Sequence, residues 1–109
     1  MIELENFQEN ARRASALLKA MSNEHRLMIL CHLLHGERSV GQLERLVDLS
    51  QSALSQHLAR LRRDQLVRTR RVAQTIYYSL NGSEATSILR ALYLLYCAPE
   101  MGALPDVAE

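Results

Sequence analysis

Cys31 and Cys97 are the two cysteines of a 109-residue chain. As a pair they could cycle between free thiols and a sulfur bridge, because a thiolate attacks an oxidised sulfur and a second thiol resolves the product. Each is also an ordinary small apolar side chain, Cys31 among Leu27, Leu30 and Leu34, and Cys97 after Tyr93 and Leu94. Cys31 and His35 stand four residues apart on one helical face, so with Cys97 they offer three ligands to a metal, with no clear fourth. His35, near a helix end, equally suits capping backbone carbonyls. A thiol enzyme would need an acid to orient a histidine and an oxyanion loop, and neither is identifiable, so no catalytic residue is expected.

A second chemistry lies in the arginines. Of 13 basic residues, 12 are Arg, and six of those stand at 60, 62, 63, 68, 70 and 71, with Asp64 the only acid between them. The formal net charge of +1 therefore hides a local surplus of five positive charges and an acidic remainder. A charge run is often a solvated surface. The planar guanidinium, however, suits bidentate contacts to phosphate and guanine better than the ammonium of lysine does.

The elements that must hold these groups follow from periodicity. Phe7, Ala11, Ala14, Leu18 and Met21 define one face of a first helix over 3–21. Ser22 or Asn23 can cap a second helix over 24–35, closed by Gly36. Ser39 caps a short third helix containing Val40, Leu43, Leu46 and Val47, and Ser50 caps a fourth over 51–63. The period then becomes alternating: 66–71 and 75–80, separated by Val72-Ala73-Gln74, predict a β-hairpin. A fifth helix runs from Ser83 through Cys97, and Pro99 and Pro105 lie beyond it. The expected fold is mainly α with a small β-hairpin, a winged helix-turn-helix in the order α-α-α-α-β-β-α. One domain over 1–98 and a flexible tail over 99–109 are expected.

On the fourth helix Leu54, Leu58 and Leu61 must face a core. The opposite side then carries Ser52, Gln56, Ala59 and Arg63, flanked by Ser55 and Arg60. A solvated helix would favour Glu and Lys, and this face has neither. Gln pairs with adenine, Ser with several bases, and Ala with the thymine methyl. Gln51, at the helix start, suits a phosphate. His57, at the margin of the apolar stripe, reads as a packing or phosphate-touching residue. Arg68, Arg70 and Arg71 with Gln74 would place charge on the wing, beside the minor groove. The DNA-contact set is thus Gln51, Ser52, Ser55, Gln56, Arg60, Arg63, Arg70, Arg71 and Gln74. A winged helix used for protein contacts is the alternative class.

Three segments together carry a family resemblance. They are Ser39-Val-Gly-Gln-Leu-Glu-Arg-Leu, Leu49-Ser-Gln-Ser-Ala-Leu-Ser-Gln-His-Leu-Ala-Arg-Leu-Arg-Arg-Asp and Val67-Arg-Thr-Arg-Arg-Val-Ala-Gln-Thr-Ile-Tyr-Tyr-Ser-Leu. Over about residues 12–97 the chain resembles the ArsR/SmtB family of dimeric bacterial repressors. The stretch Leu17-Leu-Lys-Ala-Met-Ser-Asn-Glu-His-Arg-Leu-Met-Ile-Leu-Cys is similar to its thiol- and persulfide-sensing HlyU/BigR/SqrR branch. That resemblance implies that Cys31 and Cys97 sense reactive sulfur species or an oxidant. Metal-sensing relatives carry a Cys-x-Cys box in the third helix and Asp/His, His and Glu in the last. Here 42–48 holds no Cys or His, and 83–96 no His or Asp. The hairpin also lacks the glycine usual in the wider family.

The remaining expectations concern partners. The last helix, with Ile88, Leu89, Ala91, Leu92, Leu94 and Leu95, is apolar nearly all round, more than so small a monomer can bury. A homodimer through the N-terminal and C-terminal helices is expected, on a pseudo-palindromic double-stranded operator with half-sites about 34 Å apart. No cofactor and no membrane partner are expected. With three Glu and no basic residue in the first ten, the N-terminus is not a signal peptide, and a cytoplasmic location is expected.

Overall fold

The computed structural model describes residues 4–97. Five helices carry the mass: α1 (Leu4–Met21), α2 (Glu24–Leu34), α3 (Val40–Leu46), α4 (Gln51–Arg63) and α5 (Ser83–Tyr96). Three short strands, β1 (Arg38–Ser39), β2 (Val67–Val72) and β3 (Thr75–Leu80), form an antiparallel sheet in the order β1-β3-β2. The fold is therefore the expected winged helix-turn-helix with one strand more than the hairpin. The expected tail over 99–109 lies outside the described residues.

Local chemistry explains most boundaries. Asn23 rather than Ser22 caps α2, its Oδ1 accepting from the amides of His25 and Arg26. The expected second helix ends one residue early, with His35 at the cap and Gly36 at φ +137° turning the chain away. Ser39 and Gln42 cap α3 reciprocally: Ser39 Oγ accepts from the Gln42 amide and Gln42 Oε1 accepts from the Ser39 amide. Ser50 Oγ caps α4 by accepting from the Ala53 amide at 3.1 Å.

At its other end α4 closes in a Schellman turn, with Gln65 at φ +63° where glycine is usual. The Leu66 amide donates to Leu61 O at 2.9 Å, and Asn81 Nδ2 donates to Gln65 O, holding the reversal. Leu66 is consumed by this turn, so β2 begins at Val67 instead of at 66. Its far end shifts likewise: Val72 pairs with Thr75, leaving a two-residue turn of Ala73 and Gln74 in place of the expected three. Ala73 there adopts φ +55°.

The core is built around Ile29, Leu30 and Leu34 of α2, Leu43 of α3, Leu54 and Leu61 of α4 and Leu89 of α5, all fully buried. Leu54, Leu58 and Leu61 face it as the heptad-like spacing requires. Of the apolar residues in the expected third helix, Leu43 and Val47 are buried, whereas Leu46 is exposed. Arg26 joins the first two helices from within: its buried Nε donates to Ala20 O at 2.8 Å, at the C-terminal end of α1. No helix among the described residues is long and apolar enough to cross a membrane.

Candidate nucleic-acid interface

Seating α4 on the core through three leucines leaves Gln51, Ser52, Ser55, Gln56, Ala59, Arg62 and Arg63 exposed. Ser55, Ala59, Arg62 and Arg63 form one wall of a groove whose other wall is Val40, Ile76 and Tyr78. The reading face of the helix and the inner face of the wing therefore border the same channel. A helix flanked by such a hairpin is shaped to enter a major groove while the hairpin follows the backbone.

The arginines divide into occupied and unoccupied. Arg60 is half-buried, and its Nε donates to Asp64 Oδ2 at 3.0 Å, one helical turn along. Arg63 is exposed and stands 3.9 Å from the other oxygen of the same carboxylate. Arg70 is held by Glu37, its Nε donating to Oε2 at 2.7 Å and its Nη2 to Oε1 at 2.8 Å. Arg68 Nε reaches Ser79 Oγ at 3.4 Å. Arg62 and Arg71 have no carboxylate partner among the described residues.

Strand alternation then separates the wing's arginines. Arg71 is paired across the ladder with Ile76, which lines the groove, so Arg71 lies on the side of α4. Arg70 pairs with Tyr77 and lies on the opposite, outer face. Gln74 sits exposed in the turn. Sequence spacing grouped Arg70 with Arg71; the pleat parts them.

His57 is half-buried, its ring 5.8 Å centroid to centroid from that of His25 at the start of α2. Burial first, then the positive charge of Arg26 and the neighbouring His25, holds its pKa below the ordinary histidine value. The unfolded chain thus binds this proton more readily, and the stability it contributes is full above the ordinary value and lost as pH falls below it. His57→Asn is expected to flatten the fall in thermal stability between about pH 7 and pH 5, where an unperturbed histidine near 6.5 titrates. Melting curves of both proteins across that range provide the check.

Cys31 lies on α2, and Cys97 caps the C-terminal end of α5. Both are half-buried, free, and packed against the core. Burial, and behind it the charge of Cys97, pushes the Cys31 thiol up. His35 does not share their chemistry: its Nδ1 donates to Cys31 O at 3.0 Å, and its ring meets Tyr93 edge-on at 5.5 Å. It is the carbonyl cap that the helix end favours. Among the described residues no cluster of three His, Cys, Asp or Glu side chains could hold a metal, so the Cys31–His35–Cys97 metal alternative has no support.

Around these helices lies unburied apolar surface. Phe7 and Leu18 on α1 are 59% and 54% exposed, and Leu94, Leu95 and Tyr96 on α5 are 57%, 70% and 74% exposed. An open apolar groove between them is lined by Ala11, Ala14 and Leu18 of α1 and Ile88 and Leu92 of α5.

Sequence reasoning missed Glu37, Tyr77 and Arg26. Glu37 is 33 positions from Arg70, and nothing local connects them. The Arg60–Asp64 pair had a local signal, opposite charges one turn apart.

Comparison with known proteins gives one consistent picture. The profile described as "Bacterial regulatory protein, arsR family" matches residues 23–69, from the cap of α2 into the wing. The chain is 53% identical over 96 residues to the transcriptional activator HlyU of Vibrio cholerae, covering 88% of this chain and 89% of that protein. The solved structure of reduced HlyU from the same organism superposes with a TM-score of 0.82 at 54% identity, over 86% of this chain and 99% of that one. The transcriptional repressor BigR of Xylella fastidiosa superposes equally well, with a TM-score of 0.82 at 40% identity, over 93% of this chain and all of that one.

Proposed function

The chain belongs to the ArsR family of bacterial regulatory proteins and is a DNA-binding transcriptional regulator of the HlyU and BigR type; on that premise we propose that it is a homodimeric repressor whose operator affinity is set by the thiol state of Cys31 and Cys97. The family is one of regulators, not enzymes. The observation that supports the switch is that Cys31 on α2 and Cys97 at the cap of α5 pack half-buried against the same core, with the charge of Cys97 acting on the Cys31 thiol.

DNA contact falls to Gln51, Ser52, Ser55, Gln56 and Arg63 on α4 and to Arg71 and Gln74 on the wing. Arg60 and Arg70, each already bound to a carboxylate, act chiefly on their neighbours. Gln56→Ala is expected to cost about 1–3 kcal/mol against the preferred base and to leave the salt dependence of binding unchanged. Arg71→Ala is expected to weaken binding evenly across sequences and to lower the salt slope by about 1 per protomer. Titrations of matched and single-base-changed duplexes at several salt concentrations separate the two effects.

Crosslinking closes on balanced chemistry. With a peroxide, one thiolate takes the outer oxygen and leaves an alcohol or water; the second thiol then attacks the sulfenic sulfur, and water departs as the disulfide forms. With an organic trisulfide, one thiolate attacks the central sulfur and displaces a thiolate. The second protein thiolate attacks that same sulfur, displaces the other, and leaves a three-sulfur bridge. Burial, and behind it the charge of Cys97, raises the Cys31 pKa, which suits Cys31 to the resolving step.

Either bridge ties α2 to α5. Because α5 with α1 forms the dimer contact, the tie turns one protomer against the other and changes the spacing of the two reading helices. Mass spectrometry after peroxide, disulfide and sulfane-sulfur treatment tests the chemistry. A Cys31–Cys97 bridge that forms faster as pH rises, and is lost in Cys31→Ser and Cys97→Ser, supports it. Modification of isolated thiols without a bridge contradicts it.

A further inference from the structure

Glu37 lies between α2 and β1, outside every helix and strand. Its backbone neighbour Arg38 is paired with Tyr78 of β3, and β2 lies beyond β3 at the other edge of the sheet. The two outer strands share no ladder. Yet the Glu37 carboxylate, at the β1 edge, receives two hydrogen bonds from Arg70 on β2, at 2.7 and 2.8 Å. To reach it the Arg70 guanidinium crosses over Tyr77 of β3, with Cζ 4.7 Å from the ring centroid. A strap of three side chains thus spans the sheet from edge to edge on its outer face.

The geometry of this strap is directional. Glu37 uses both oxygens, Arg70 uses its Nε and Nη2 edge, and the aromatic ring supports the plane from below, the arrangement in which an arginine is most fixed. Exposed ion pairs contribute little to stability, and this one is exposed, with 57% of the Arg70 side chain open. Its effect is therefore on direction rather than on whether the fold forms. β1 holds the sheet by only two pairs, Arg38 to Tyr78 and Ser39 to Tyr77. The strap adds the link that carries the position of the α2 exit to the far strand of the wing.

We propose that Glu37 is a positioning residue for operator binding, its strap to Arg70 across Tyr77 fixing the tilt of the wing so that Arg71 and Gln74 meet DNA at a set distance from the reading face of α4. This rests on the wing contacting DNA and is independent of the cysteine switch.

The test uses the reduced full-length protein and a duplex selected by that protein from a random library. Glu37→Gln, Arg70→Gln and the reversed pair Glu37→Arg/Arg70→Glu are titrated with the duplex, alongside Arg71→Ala. Each single strap variant is expected to bind about fivefold to tenfold more weakly, with its melting temperature within about 4 °C of the parent. The reversed pair, which restores both the strap and the net charge, is expected to recover affinity to within about twofold. Tighter binding by Glu37→Gln would overturn the proposal, since Glu37 would then be competing with DNA for Arg70. Loss in Arg70→Gln without rescue by the reversed pair would also overturn it, marking Arg70 as a direct phosphate contact. Unchanged affinity in Glu37→Gln would do the same. Unchanged affinity and salt slope in Arg71→Ala would instead remove the wing from the DNA contact altogether, and the proposal with it.

Discussion

Leu95→Glu is expected to convert the protein to a monomer and to weaken operator binding by about a hundredfold or more. The inner side of α5 is fully used: Ala85, Leu89 and Tyr93, at i, i+4 and i+8, are buried against the core. Leu94, Leu95 and Tyr96 follow, more than half exposed, as are Phe7 and Leu18 of α1, and an open apolar groove runs between α1 and α5. Exposed apolar surface of this extent is what the proposed dimer would cover. A carboxylate placed in it would have to be desolvated on dimerisation, at a cost that an unpaired charge does not recover. Each protomer would then bind its half-site alone and lose the effective concentration supplied by its partner. Because Leu95 is exposed in the single chain, helical content should be preserved. Sedimentation and circular dichroism, with duplex titration, check all three points; a variant that stays dimeric would contradict the assignment of the interface.

The second large effect is on the fold itself. Leu61→Ala is expected to destabilise the protein by about 2–5 kcal/mol, a large share of the 5–15 kcal/mol typical of a small domain. Leu61 is fully buried, and with Leu54 and Leu58 it seats α4 against the core. It also lies where the helix ends, its carbonyl accepting from the Leu66 amide in the turn through Gln65. The substitution therefore empties a cavity under the reading helix beside the joint that launches β2. Urea denaturation at fixed protein concentration measures the loss, since the stability of the proposed dimer would depend on concentration. The two variants separate cleanly: one keeps the fold and loses the partner, the other weakens the fold with the interface residues intact.

The fourth helix was legible in the sequence to the residue. Ser50 supplies its cap, Leu54, Leu58 and Leu61 supply its phase, and no competing signal intrudes. The polar face followed from the same phase. The hairpin was legible in kind but shifted by one residue at both ends of its first strand, because Gln65 and Ala73 take left-handed conformations that sequence rules reserve for glycine and asparagine. Strand β1 left no pattern: two residues cannot show an alternation, and Ser39 is at once a strand residue and the cap of α3. Charge was the least legible feature. Counting six arginines against one acid overstated the free positive charge, because Glu37 arrives from 33 positions away to bind Arg70, and Asp64 turns back to bind Arg60. The charge without a carboxylate partner among the described residues falls on Arg62, Arg68 and Arg71, and of these Arg62 lines the groove between helix and wing.

The claim that the thiol state of Cys31 and Cys97 sets operator affinity is tested most directly on a single preparation. The operator affinity of the reduced protein is measured, the Cys31–Cys97 bridge is formed and verified by mass, and affinity is measured again before and after reduction. A coupling of about 1–3 kcal/mol corresponds to binding 5–150-fold weaker in the bridged form, regained in full on reduction. A fully bridged protein that holds the operator as tightly as the reduced one would contradict it.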